Sequence, residues 1–486
     1  MSYFRLVRGS AVLALFSVLT PAAPALLAAQ GAPNDPRAVA LLDRVITRMG
    51  GEQALRSVRG IRMDVMTQWQ RTNFADHPFA DQPSYERNTE LRDYPARAWR
   101  NVREFVPTPS SSVDIVRDTV GARTLIAPGR PAATTPLNLA YVDERRELWA
   151  TATERLVLAA RDAGGLKLLT DTLIDRAPHA RMAVAVDGLP MTLFIRRSDD
   201  LPAMVRFKAD ETNDFGLAPW GLMEVEYWYS GWARLAPGVL LPRQRDVRRV
   251  GRPYKRMTLL SAVVNPPTPA DSFAIADSVV SRYLADEQRP MWKVSLDTTK
   301  LVAEHFAAFS PWVGMAGAVR VGGTWVLLET GQAAGAAQLV ESWIAKTTPG
   351  QPIGAAIITN TGVGNGGVRH VVERKRPVYV APGAMPMVKQ MLGATRAAAA
   401  VTPVSAARWV RVGTDSLWIE PIDAPDAGTS LLVYAPTHKW IYTALYGRPP
   451  AQPMIDAAVA RLRARGMAVE WVGSLRDIHA AMPAAR

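Results

Sequence analysis

Ile353-Gly354-Ala355-Ala356-Ile357-Ile358-Thr359 runs straight into Asn360-Thr361-Gly362-Val363-Gly364-Asn365-Gly366-Gly367. The first stretch is short, apolar and ended by turn formers, so it reads as a buried strand. The glycines after it permit a tight, irregular loop. Upstream, Val326-Leu327-Leu328-Glu329-Thr330-Gly331 has the same character. It follows a hairpin in which residues 318–321 and 324–328 flank Gly322-Gly323, and a helical pattern over 334–345 separates it from Ile353. Downstream come a short helix over 368–374, a strand over 378–380, a helix ending at Leu392, four strands between Trp409 and Thr443, a helix over 453–465 and a last strand over 468–472. Strands alternate with helices around these two runs, so this part is a layered α and β domain.

The chain before it follows another pattern. Asp35 and Pro36 supply an N-cap and a first-turn proline, Ala38, Leu42, Val45 and Met49 recur at helical spacing, and Gly50-Gly51 stop the helix. From Ile61 the period becomes two, with Met63, Val65, Thr67 and Trp69 on the same strand face. Further strands flank the turn Asp187-Gly188-Leu189-Pro190 and carry Met223, Val225, Tyr227 and Tyr229, while residues 143–163 read as one long helix. The proline-rich stretch Asn265-Pro266-Pro267-Thr268-Pro269 ends this region. The expected fold class is therefore α+β: a mainly antiparallel β-sheet domain with helices over 30–269, a partly helical connector over 270–290, and the layered domain over 291–486.

Of 486 residues, 48% are hydrophobic and 21% charged, which excludes a disordered chain. There is no cysteine, so disulfides, thiolate nucleophiles, cysteine-ligated zinc and iron–sulfur clusters are excluded. The net charge is +13. It is carried mostly by scattered arginine, which argues against a nucleic-acid face. The one dense stretch, Arg245, Arg248, Arg249, Arg252, Lys255 and Arg256, leaves open a peripheral contact with an anionic membrane. Residues 1–29 have the form of a signal peptide: Arg5 and Arg8, the apolar run 11–19, and small residues up to Ala29. Gln30 stands where a lipoprotein signal has its lipidated cysteine, so the expectation is an exported, periplasmic protein without a lipid anchor.

The order of elements from about Met291 onward resembles the metallo-β-lactamase superfamily, an αββα sandwich. Val326 to Gly331 falls where that family has an apolar strand ending in Asp-Thr-Gly, here with Glu329 for the aspartate. Thr359 to Gly367 falls where the family has Thr-His-x-His-x-Asp-His-x-Gly-Gly. The resemblance implies a fold and puts the chemistry in doubt. Alternating histidines in such a loop aim several imidazoles at one zinc, with carboxylates completing the site. This loop is one residue short. Aligned on the glycines, the ligand positions hold Thr359, Thr361, Val363 and Gly364; aligned on the threonine, they hold Asn360, Gly362, Gly364 and Asn365. Near the family's third histidine stands Asp426, and one carboxylate does not hold zinc. No metal site and no cofactor are expected. The candidates for a vestigial pocket are Thr359, Asn360, Thr361, Asn365 and Asp426, and no catalytic residue can be named.

Gly362 to Gly367 also spells G-x-G-x-x-G, yet no acidic residue follows at the distance a dinucleotide site requires. His370, Glu373 and Arg374 read as a solvated helix face, His438 as a turn residue, and Asp199-Asp200 as turn formers. The opening of the first domain is similar to outer-membrane lipoprotein-carrier-like domains, half-barrels over helices that hold acyl chains in an apolar concavity. Together these readings give a non-catalytic binding or scaffolding protein of the cell envelope with an apolar or acyl ligand. The alternative is a hydrolase of ester or lactam-type substrates with an atypical or metal-independent site.

Overall fold

The computed structural model describes residues 33–71, 82–137, 144–210, 222–236, 238–249, 251–286, 300–303, 306–308, 316–331, 334–359, 366–424, 428–444, 452–473 and 478–480. Helix α1 (Pro36–Met49) begins as expected. The Asp35 carboxylate accepts the Arg37 amide at 2.9 Å, and Gly50 ends the helix at φ 135°. A side chain at Gly50 would collide with the Gly238 carbonyl, so close approach as well as dihedral angle demands glycine there. Helix α2 (Glu52–Ser57) follows.

Six strands come next, β1 (Gly60–Arg71), β2 (Gln82–Asp93), β3 (Ala98–Val106), β4 (Ser111–Arg117), β5 (Val120–Ile126) and β6 (Ala133–Pro136), each paired antiparallel to the one before. After α3 (Glu144–Thr151) and α4 (Thr153–Ala163) the chain adds β7 (Lys167–Ile174), β8 (Ala177–Val186), β9 (Leu189–Arg196), β10 (Leu201–Asp210), β11 (Leu222–Ala236), β12 (Val239–Arg249) and β13 (Arg252–Val264). Because β13 returns beside β1, all thirteen strands form one antiparallel sheet, β6-β5-β4-β3-β2-β1-β13-β12-β11-β10-β9-β8-β7.

Two local expectations are corrected. The β8–β9 turn is only Asp187-Gly188, both at positive φ, and Leu189 and Pro190 already belong to β9. The span 143–163 is two helices, because Ala152 is non-helical at φ −102° and ψ 66°. The Thr151 hydroxyl donates to the Glu147 carbonyl at 2.7 Å and accepts Arg92 Nη2 at 2.8 Å. The sheet thus holds the chain where the helix breaks, a contact that no helix-breaking residue announces.

Helix α5 (Asp277–Asp286) packs on β5 and β6. The second sheet runs in chain order: β14 (Lys300–Ala303), β15 (Phe306–Ala308), β16 (Ala316–Val321), β17 (Thr324–Thr330), β18 (Ile353–Ile358), β19 (Val378–Val380) and β20 (Val401–Pro403), parallel from β17 onward. Its helices are α6 (Ala334–Thr347), α7 (Val368–Glu373), α8 (Met385–Leu392) and α9 (Ala394–Ala400). The third sheet holds β21 (Arg408–Val412), β22 (Asp415–Ala424), β23 (Gly428–Ala435), β24 (Trp440–Tyr442), β25 (Trp471–Gly473) and β26 (Ile478–Ala480), with α10 (Gln452–Ala464) between β24 and β25. The last strands are shorter and later than the run 468–472 suggests.

Side-chain alternation builds the layers. In β17 and β18, Val326, Leu328, Ala355 and Ile357 meet Val410, Leu417, Ile419, Leu431 and Val433 of the third sheet. Trp325, Leu327, Ala356 and Ile358 point the other way and join Val340, Ile344, Val371 and Val388 of the helices. On the far side, Trp418, Leu432, Tyr434 and Ile441 pack with Ile455, Ala458 and Leu462 of α10. The order is helices, sheet, sheet, helix, and a strand buried on both faces is why Ile353 to Ile358 shows no polar alternation.

Candidate functional site

Of the residues the sequence puts forward for a pocket, Thr359 is described, and it is fully buried at the end of β18. Its amide and hydroxyl both donate to Glu329 Oε1, at 2.9 and 2.5 Å. The same hydroxyl accepts the Ala444 amide at 3.3 Å, and the carbonyl accepts the Leu431 amide at 2.8 Å together with the Ser430 hydroxyl. Glu329 is buried at φ 61°, and Tyr442 Oη donates to its Oε1 at 3.5 Å. Burial, reinforced by the Glu329 carboxylate, raises the Tyr442 phenol well above its ordinary range. This cluster ties two strand ends of one sheet to the other. Thr359 itself is a poor metal ligand here, because its hydroxyl is already donor to one group and acceptor from another, and Oε1 of the carboxylate beside it is taken by Thr359 and Tyr442.

Asn360, Thr361, Asn365 and Asp426 lie outside the described residues, as does the first part of the G-x-G-x-x-G loop. Among the described residues, no group of three or more histidine, aspartate and glutamate side chains lies close enough to share a metal ion. His370 corrects the expectation of a solvated face. It is 4% exposed, and its Nε2 lies 2.6 Å from Glu341 Oε2 of α6, which also accepts Arg376 Nη2 at its other oxygen at 2.5 Å. Burial alone would raise the Glu341 carboxyl; the bonds from Arg376 and His370 outweigh it and hold the group below its usual range. His438 is in a turn as expected, with Nε2 2.6 Å from the Arg320 carbonyl.

A second site lies on the helix-covered face of the large sheet, and sequence reasoning did not find it. Ile61, Met63, Val65 and Thr67 face inward from β1, and their direct partners on β2 are Arg92, Glu90, Asn88 and Glu86. An apolar face thus turns polar within one strand. Across β3 to β5 the row continues: Arg103 binds Glu86 at 2.8 Å, and Arg123 holds Asp114 with two bonds of 2.6 and 2.7 Å. Arg92 donates to Glu90 at 2.6 Å. Burial works against the Arg92 charge, and the Glu90 carboxylate, with Tyr94 and Glu154, more than restores it. The sequence signal was faint, since both faces of β2 are polar and only the register with β3 and β4 shows that the inward charges alternate in sign.

Where this row ends, a cavity of about 340 Å³ opens between the sheet and the α3–α4 junction. Buried Arg92, Trp99 and Val116 are consecutive cross-strand partners on β2, β3 and β4 and line it, with Leu148, Trp149 and Arg155 of the helices. The Arg155 guanidinium sits 4.8 Å from the Tyr94 ring centre, and the Tyr94 hydroxyl donates to Glu154 at 2.5 Å. The volume falls at the lower end of small-molecule sites. In the dense basic stretch, strand alternation sends Arg245 and Lys255 into the interior, Lys255 onto Glu147, while Arg256 pairs with Asp246 at 2.7 Å.

No family model matches the sequence, and no curated protein matches it. Solved structures of both kinds that the sequence resembles do match. A Vibrio parahaemolyticus domain described as that of an outer membrane lipoprotein-sorting protein aligns with 48% of this chain and 95% of its own length, at 8% identity and TM-score 0.31. A DUF1329 family protein from Desulfovibrio piger covers 48% of this chain and 96% of its own, at 8% identity and TM-score 0.32. A metallo-β-lactamase from Pontibacter korlensis covers 36% of this chain and 89% of its own, at 17% identity and TM-score 0.27. Likenesses this slight carry no information about activity.

Proposed function

We propose that this chain is an exported binding protein of the cell envelope, with a sheet domain over 30–269 that holds an apolar or acyl ligand. The domain over 291–486 is then a metallo-β-lactamase-type αββα sandwich that does not perform the family's zinc chemistry. Residues 1–29 act as a removable signal peptide, and 270–290 connect the two domains. The observation that carries this reading is Thr359. At the head of the loop where the zinc motif belongs, its donor and acceptor groups face Glu329, Ser430, Leu431 and Ala444. Side chains committed to holding strand ends are not free to hold a metal-bound hydroxide. The cavity beneath the α3–α4 junction supports the binding half of the reading.

Two measurements test it on the mature protein. Organic extraction of material purified from an envelope fraction should release a bound amphiphile. Incubation with chromogenic esters and a chromogenic cephalosporin should give no turnover above that of a heat-denatured sample. Turnover that disappears in Thr361→Ala or Asn365→Ala would establish the hydrolase instead.

A further inference from the structure

We infer that the cavity beneath the α3–α4 junction binds an amphiphile headed by an anionic oxygen group, a carboxylate or phosphate monoester; this rests on the binding reading above and names its ligand class. The donor balance of the cavity leads there. Arg92 and Trp99 are direct partners across β2 and β3, and both are more than nine-tenths buried. Arg92 Nη1 and Trp99 Nε1 have no hydrogen-bond partner among the described residues. They are the two buried side-chain atoms of the lining left in that state, and both are donors. Buried donors persist where an acceptor arrives from outside the chain.

The charges of the lining point the same way. Arg97 and Asp118 are exposed and pair with each other at 3.3 Å. The Asp93 carboxylate accepts the Ala96 amide at 3.0 Å in the turn after β2, and Asp187 is exposed in the β8–β9 turn. The two buried carboxylates behind the wall are engaged, Glu90 with Arg92 and Glu154 with the Tyr94 hydroxyl. Arg155 is the half-buried cation of the wall. Its described contact is the Tyr94 ring, with no carboxylate among the described residues within salt-bridge distance. Val116, Leu148 and Trp149 supply apolar surface for a chain or ring. An anionic oxygen held by Arg155, with acceptor lone pairs toward Trp99 and Arg92, completes the set. A neutral lipid could offer an oxygen to the donors but no charge to pair with Arg155, and a cation would be repelled by Arg155.

Isothermal calorimetry on the full mature chain, below micelle-forming concentrations, tests this with dodecanoate, dodecyl phosphate and dodecanol. Dodecanoate or dodecyl phosphate should bind at least tenfold more tightly than dodecanol, and the tighter of the two identifies the head group. Arg155→Gln, a change on a half-buried helix position, should erase that preference. Trp99→Phe, which keeps the ring and removes the N–H, should reduce it severalfold. Equal binding of dodecanol and both anions, or a preference that survives in Arg155→Gln, would overturn the inference and leave the binding reading standing. Binding of none of the three would remove both.

Discussion

Thr359 gives its amide and its hydroxyl to a single oxygen of Glu329, at 2.9 and 2.5 Å, and so fastens the end of β18 to the end of β17. The third sheet joins the same knot through Leu431, Ser430 and Tyr442. The segment that leads into the glycine-rich loop is a structural joint.

Thr359→Val removes the hydroxyl, keeps the volume and leaves a buried carboxylate short of a donor. It should destabilise the protein by about 1–3 kcal/mol, read as a lower denaturant midpoint. Thr359→Ser should recover most of the loss. A Thr359→Val protein within about 0.5 kcal/mol of the parent would mean that the joint contributes little.

Asp114 is the hub of the inward ladder, with two bonds to Arg123 and Arg103 Nη1 at 3.6 Å. Asp114→Ala leaves cations on a covered face and should cost about 3–5 kcal/mol, whereas Asp114→Leu with Arg123→Leu should cost much less, because unpaired buried charge is what is expensive. Equal losses in the single and double variants would contradict this.

Arg92 and Arg245 are both buried, with opposite consequences. Arg92 neutralises Glu90 and holds Thr151, whereas the hydrogen bond of Arg245 goes to Met63 Sδ at 3.8 Å, and burial followed by repulsion from Arg92 lowers its pKa. Arg92→Met should therefore be severely destabilising. Arg245→Met should be neutral or stabilising by up to about 2 kcal/mol. Thermal melts of the two variants separate them, and a large loss in Arg245→Met would show that this charge is needed by its neighbours.

Much of this architecture was legible where a single face or a cap decides it. Asp35, Pro36 and Gly50 bounded α1, period-two alternation from Ile61 gave β1, and the two-sided apolar run Ile353 to Ile358 gave a covered strand. The break at Ala152 was not legible, because no helix-breaking residue marks it and the bond to the neighbouring Thr151 comes from Arg92, far away in sequence. Nor was the burial of His370, whose partner Glu341 sits on another helix. The cavity beneath the α3–α4 junction was hidden for the same reason: Arg92, Trp99 and Val116 become neighbours only through strand register. At the candidate loop, the interior position of Thr359 was not legible, since its partners come from three separate strand ends.

The Glu341 carboxyl is held low by Arg376 and His370 against the effect of burial. A depressed carboxylate stabilises the fold above the ordinary carboxylate range, and that contribution is lost as pH falls through the folded value. Glu341→Gln should lower stability by about 1.5–3 kcal/mol at pH 7. It should also show a smaller decline than the parent between about pH 5 and pH 2, followed by urea unfolding. Parallel pH profiles would rule out the pairing.

The most direct test of the central claim is elemental analysis of the mature protein after loading with zinc and exhaustive dialysis. The account predicts no stoichiometric zinc, because the donor and acceptor groups of Thr359 are taken up by Glu329, Ser430, Leu431 and Ala444. One or two zinc ions per chain surviving dialysis would contradict it and restore a metal centre to the loop that begins at Thr359.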